Sequence, residues 1–205
     1  MNHNSYMRNS GGVSIYISDD LVGHFERKDL SKSSNHFECI FIEIPIFNNL
    51  KNVIVGNIYH RPNSSGVEFV KELSDILTTI CKENKKIYLI GDFNLDLLKY
   101  NDSLIVRNFV DLLHSNGLLS LINKPTRVTN STATLIDHLW SSDYQNLTGS
   151  CILYSFITDH FPTCVCFKVN ENNQNLDDND FIELKYRKFS EQIINAFRLE
   201  LSEIN

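Results

Sequence analysis

The sequence predicts an α/β domain, and three observations carry that prediction. Strand-length runs that alternate or are wholly apolar recur at Gly11–Ser18, Phe37–Ile44, Val53–Tyr59 and Ile87–Ile90. Two stretches with apolar residues at helical spacing lie among them, one opening at Ser65 and one spanning Leu104–Asn116. The two kinds of element interleave along the chain, as they do when helices cover a mixed sheet. At 205 residues the chain can bury one substantial core, and it shows no internal repeat.

Taken in order, Met1–Ser10 is polar and reads as a disordered stub. In Gly11–Ser18, Val13, Ile15 and Ile17 share one strand face, with Tyr16 opposite. Asp19–Ser34 is mostly polar and reads as a loop. Phe37–Ile44 is apolar on both faces, which predicts burial on two sides. Val53–Tyr59 is a strand that ends in the cluster Tyr59-His60-Arg61-Pro62. Ser65-x-x-Glu68 has capping-box spacing, and Phe69, Val70, Leu73, Ile76, Leu77 and Ile80 then form one apolar stripe. Glu83–Lys86 turns the chain into the Ile87–Ile90 strand.

Leu95–Ser103 reads as a loop across the exit of that strand. In the second helix Ile105, Phe109, Leu112 and Leu113 are expected to face inward, with Gly117 as a left-handed cap. Thr134–Trp140, Cys151–Phe156 and Thr163–Val169 are strands, the first two joined by a polar turn at Ser141–Ser150. The domain is thus expected over residues 11–170. Glu171–Asp180 is acidic and amide-rich, a linker, and Phe189, Ile193, Ile194, Phe197 and Leu201 give residues 181–205 the pattern of an amphipathic helix.

Composition narrows the class without choosing within it. A hydrophobic content of 42% and a charged content of 21% are those of an ordinary globular protein. The balance of 19 basic to 25 acidic residues argues against a constitutive polyanion clamp, although carboxylates gathered for a metal count as negative until it binds. Five scattered cysteines without metal-ligand spacing read as free thiols in a reducing compartment. With no signal peptide and no apolar run long enough to cross a bilayer, the expectation is an intracellular protein that is not secreted.

The chemistry concentrates at Gly91-Asp92-Phe93-Asn94, immediately after the Ile87–Ile90 run. Alternation sends Asp92 and Asn94 to one side and Phe93 into the core. An acid and an amide at a strand exit describe an exposed turn equally well. Two further stretches shift the balance: Ile136-Asp137-His138 inside an apolar run, and Thr158-Asp159-His160-Phe161-Pro162. In that order, GDFN, IDH and Thr-Asp-His-x-Pro resemble the endonuclease/exonuclease/phosphatase superfamily of metal-dependent phosphoesterases. Gly11–Ile17, Asn57-Ile58-Tyr59-His60-Arg61-Pro62, Pro125-Thr126-Arg127 and Thr132–Asp137 bring the resemblance closer, to the endonuclease domain of non-LTR retrotransposon polyproteins.

That resemblance implies a four-layer α/β sandwich, two packed mixed sheets flanked by helices, here lacking the family's first strands. It implies a Mg²⁺ (or Mn²⁺) phosphodiesterase that nicks target-site duplex DNA, with no membrane partner and a reverse-transcriptase domain in a nuclear parent polyprotein. By the same resemblance Asp92 orients or deprotonates the attacking water and shares in the metal site, Asn94 holds the water or the phosphate, and Asp159 contributes to the metal. Asp137 steadies His160 against the phosphate, and Tyr59 reaches the substrate. Arg61 and Trp140 are candidate substrate contacts, Trp140 by stacking on a base. His138 is expected to point away from Asp137's face. The family's metal-binding glutamate and an asparagine lie on strands upstream of Gly11, with no counterpart in residues 1–35. Three readings therefore compete: a DNA endonuclease, a catalytically dead remnant that at most binds nucleic acid, and a superfamily phosphatase acting on a small phosphoester.

Overall fold

The computed structural model describes residues 2–4, 12–19, 21–46, 51–155 and 157–168. The chain divides into units Met1–Asn170 and Glu171–Asn205, and every described residue belongs to the first. The expected linker and amphipathic helix lie outside the described residues.

In chain order the strands and helices are β1 (Asn2–Asn4), β2 (Val13–Ile15), β3 (Phe25–Glu26), β4 (Lys32–Ser33), β5 (Phe37–Ile44), β6 (Val53–His60), α1 (Gly66–Cys81), β7 (Lys86–Asp92), α2 (Leu104–Ser115), β8 (Leu119–Ser120), β9 (Arg127–Val128), β10 (Ala133–Thr134), β11 (Asp137–Ser141), β12 (Leu147–Ile152) and β13 (Thr163–Phe167). A mixed sheet runs β3-β5-β6-β7-β11-β8, with β4 also on the outer edge of β5. Among the described residues only β6 and β7 are parallel, and α1 is the crossover between them. The described residues also form three two-stranded sheets, β1-β2, β9-β10 and β12-β13.

Side-chain alternation divides the large sheet into two faces. One carries Phe37, Cys39, Phe41, Ile54, Ile58, Ile87, Leu89 and Trp140 and packs against Phe69, Leu73, Leu77 and Ile80 of α1 and Phe109 and Leu113 of α2. The other carries two separate clusters, Ile40 and Ile42 beneath Val13, and Leu139 with Ile122 and Leu135 beside Ile152 and Val165. Helices, the large sheet and the small sheets are therefore stacked in layers, a mixed α/β sandwich. Among the described residues both α-helices lie on one face.

Local signals account for most element boundaries. Ser65 caps α1 by accepting from the Glu68 amide at 3.3 Å, and Gly117 takes φ 73° just past α2. In α2 the buried positions are Val106, Phe109, Val110 and Leu113, while Ile105 and Leu112 are only partly covered. The stripe is rotated from the expected one. The run 134–140 is not one strand: it breaks at Leu135-Ile136, whose backbone bonds Asp96 and Phe93 instead. The strand expected at Cys151–Phe156 is β12, Leu147–Ile152, four residues earlier. Thr148, Gly149 and Ser150 are solvent-exposed in it, so hydrophobic alternation does not mark its start. Asn2–Asn4 pairs with Val13–Ile15, a pairing that polar composition does not announce.

Candidate active site

One row across the sheet carries the polar chemistry. Glu38 of β5 stands opposite Tyr59 of β6, Tyr59 lies in register with Asp92 of β7, and Asp92 faces Asp137 of β11. In-register neighbours project from the same face. This is the face away from the helices, since Phe37, Ile58 and His138, each one residue off the row, are buried on the other.

Gly91 makes the row possible. Its φ is 134°, and a Cβ there would lie 2.0 Å from the Ile58 carbonyl oxygen. Beyond Asp92 the backbone leaves the ladder, Phe93 is fully buried, and its amide donates to the Ile136 carbonyl at 2.9 Å. Asn94 is left-handed, with φ 46°. Its amide N–H donates to Asp92 Oδ1 at 3.0 Å and its Nδ2 donates to the His60 carbonyl at 2.7 Å, tying the exits of β6 and β7 together.

Burial pushes the Asp92 carboxyl above its ordinary pKa, and the like charge of Asp137 adds to this. The Asn94 amide, His160 and Arg127 pull the other way. Tyr59 is also shifted up, by burial first and by the Asp92 charge second, so its phenol stays a hydrogen-bond donor.

His160 reaches Asp137 with Nδ1 3.0 and 3.1 Å from its two carboxylate oxygens. Because the carboxylate accepts, Nδ1 carries the proton and Nε2 is left for another partner. A fully buried threonine joins the two segments that carry this pair. Thr126 Oγ1 accepts from the Ile136 and Asp137 amides at 3.3 and 2.9 Å, and its carbonyl accepts from the Phe161 amide at 2.7 Å. Arg127 pairs with His160 in a β-bridge, and the Val128 amide donates to the Asp159 carbonyl at 2.9 Å. The result is a shallow cleft of about 280 Å³ lined by Gly91, Asp92, Asp137, His160, Phe161 and Pro162 among others.

Asp92, Asp137 and His160 each offer one ligand atom within 4.8 Å of the others. Two carboxylates and an imidazole within reach of one ion in a solvent-open cleft fit a hard divalent cation.

A family model described as endonuclease-reverse transcriptase matches residues 53–164, more than half of the chain and the span from β6 to the start of β13. The chain belongs to this family. The comparison with curated proteins returned no match. Among solved structures the chain resembles the endonuclease domain of TRAS1, a telomere-specific non-LTR retrotransposon, at 14% identity and a TM-score of 0.60 over 75% of this chain and 72% of that one. It resembles an endonuclease/exonuclease/phosphatase family protein from Leptotrichia buccalis C-1013-b at 16% identity and a TM-score of 0.50, covering 64% and 54% of the two chains. AP endonuclease LMAP from Leishmania major gives 9% identity and a TM-score of 0.53, covering 64% and 55%. The chain thus spans most of the retrotransposon domain and about half the length of the other two. At these identities the likeness establishes a common fold.

In this family member the structure gathers most, but not all, of the residues singled out by sequence. Asp92, Asp137 and His160 converge on the cleft, with Asn94 and Tyr59 directly beside Asp92. Asp159 is not in the cation-sized group: its Oδ2 accepts from Arg127 Nε at 2.7 Å, which holds its carboxyl below the usual range. Arg61 is paired with Glu38, at the end of the row away from Asp137, and donates to the Ser34 carbonyl. Trp140 is 1% exposed within the helix-facing core, packed edge-on to Phe109 and His138, and so cannot stack on a base. His138 points into that core as expected, stacked on Phe93, with burial lowering its pKa to about 4.

Sequence reasoning missed Thr126 as a site residue. The motif Pro125-Thr126-Arg127 was visible, but a threonine's burial is not readable from spacing. It also missed Asp96, whose Oδ1 accepts from the amides of Leu98 and Leu135 and fixes the chain entering β11. A larger cavity, about 490 Å³, opens at the opposite ends of β6 and β7. There Lys86 and Tyr88 are tied to Asp143, and Lys85 to Glu43 and Glu83, so these groups are already paired.

Proposed function

We propose that this domain is a metal-dependent DNA endonuclease that nicks duplex DNA, acting in the nucleus as part of a polyprotein with a reverse-transcriptase domain. The observation that carries this reading is the Asp137–His160 pair set beside Asp92 in one cleft, from three segments distant in sequence, within an endonuclease-family chain. Asp92 and Asp137 would hold Mg²⁺ or Mn²⁺, which would supply positive charge against the phosphoryl oxygens, leaving His160 for the phosphate.

The chain's own groups divide the remaining work. Asp92, made more basic by burial and held by the Asn94 amide, takes the proton from the attacking water. The Asn94 side-chain oxygen, with no partner among the described residues, orients that water. His160 turns Nε2 toward the scissile phosphate, where it meets the negative charge that accumulates, and Asp137 keeps the ring in that orientation and tautomer. The Tyr59 hydroxyl donates to a phosphate oxygen from the neighbouring strand.

Supercoiled plasmid incubated with the chain and Mg²⁺ or Mn²⁺ tests the reading. Conversion to the nicked circle, abolished by EDTA and by His160→Ala, is expected. Intact plasmid at high protein concentration with DNA still bound would leave a nucleic-acid-binding remnant, and hydrolysis of small phosphoesters but not DNA would leave a phosphatase.

A further inference from the structure

The cleft continues into an apolar surface that the chemistry above does not use. After β12 the chain turns outward through Leu153 and Tyr154, and Leu153, Tyr154 and Ile157 are 49%, 81% and 77% exposed. Several apolar side chains left in water so close together in sequence mark a contact surface. The loop is anchored at the site: the Leu153 amide donates to the Pro162 carbonyl at 2.8 Å, two residues past His160. The Tyr154 ring meets Phe161 edge-on, centroids 5.3 Å apart at 69°. Phe161 and Pro162 are themselves walls of the cleft. Asp92, His160, Phe161 and Tyr154 therefore form one continuous path, from the carboxylates to an aromatic ring standing in solvent.

A ligand that places a phosphodiester in the cleft carries a sugar and a base on each side of it. The sugar edge and the base face are its apolar parts, and Leu153, Tyr154 and Ile157 offer an exposed apolar surface beside the cleft. Trp140, the one residue that sequence offered for stacking, is sealed in the core. We propose that Tyr154, backed by Phe161, is a stacking platform for an unpaired or extrahelical nucleobase next to the cleaved phosphate. The proposal rests on the nuclease reading of the cleft. It makes the domain selective for duplexes with a disturbed base stack, since a base held inside a regular helix cannot offer its face.

The test compares the parental chain with Tyr154→Ala and Tyr154→Trp on two labelled duplexes in EDTA. One is fully paired and the other carries a single bulged 2-aminopurine. The parental chain is expected to favour the bulged duplex and quench its fluorescence. Tyr154→Ala should lose about 5- to 100-fold in affinity for it, together with the quenching, while Tyr154→Trp retains both. Equal affinity of the parental chain for the two duplexes, or undiminished quenching by Tyr154→Ala, overturns the platform. So does a change from dimer to monomer in Tyr154→Ala with DNA binding unaltered, which would assign the patch to contact between copies. Tyr154-dependent quenching without plasmid nicking leaves the platform standing and removes only the hydrolytic reading.

Discussion

Asp92 and Asp137 face each other directly across two antiparallel strands, like charges on one side of a sheet, with His160 bonded to only one of them. Such a pairing opposes folding. Its cost falls mainly on Asp92, whose carboxyl is raised above the ordinary value by burial and then by its neighbour.

Asp92→Asn is therefore expected to stabilise the fold while removing activity. A carboxyl with a folded pKa above its unfolded value favours the native state most below the unfolded pKa. That stability is lost as pH rises through the folded value. At pH 7 the variant should melt a few degrees above the parental chain, with the gap closing toward pH 4. Calorimetry across that range checks the sign. Added Mg²⁺ or Mn²⁺ should raise the parental Tm by more than the variant's.

Asp137 and His160 act as one unit in this geometry. Asp137→Ala and His160→Ala should each slow nicking by about 10²- to 10⁴-fold, and the double variant by little more than either alone. Additive losses in the three rate measurements would mean that the two groups work independently.

Thr126→Val keeps the side chain's shape and deletes the oxygen that accepts from the Ile136 and Asp137 amides. Leaving those buried donors unpaired should cost about 1–3 kcal/mol in urea unfolding and reduce nicking by misplacing Asp137 and His160. Thr126→Ser should restore both quantities.

His138 gives a second pH dependence, of opposite sign to that of Asp92. Its folded pKa, about 4, lies below the ordinary histidine value, so stability is intact above pH 6.5 and falls as pH drops toward 4. The difference is about 3 kcal/mol over that window. His60, lowered by burial as well, acts in the same direction. Denaturant unfolding from pH 7 to pH 4 should show the loss, and His138→Gln should flatten most of it.

Much of this architecture can be read from local pattern. Phe37–Ile44 is apolar on both faces because it lies between the helices and the small sheets, and the structure buries it accordingly. The α1 stripe and its Ser65 cap follow directly from spacing. The start of β12 was not readable, because a strand whose side chains meet solvent needs no apolar alternation. Nor was the break at Leu135-Ile136, which long-range bonds to Asp96 and Phe93 impose.

The site divides along the same line. Sequence alone determined the residue types and their order; strand alternation put Asp92 outside the core, and the resemblance carried by GDFN, IDH and Thr-Asp-His-x-Pro supplied the choice of Asn94, Asp137 and His160. Tertiary structure decided which of the polar groups share a cleft. It gave Asp159 to Arg127 and Arg61 to Glu38, it placed Trp140 in the core, and it made a buried threonine the joint between two segments. Ion pairing and burial depend on neighbours that the chain brings together only when it folds.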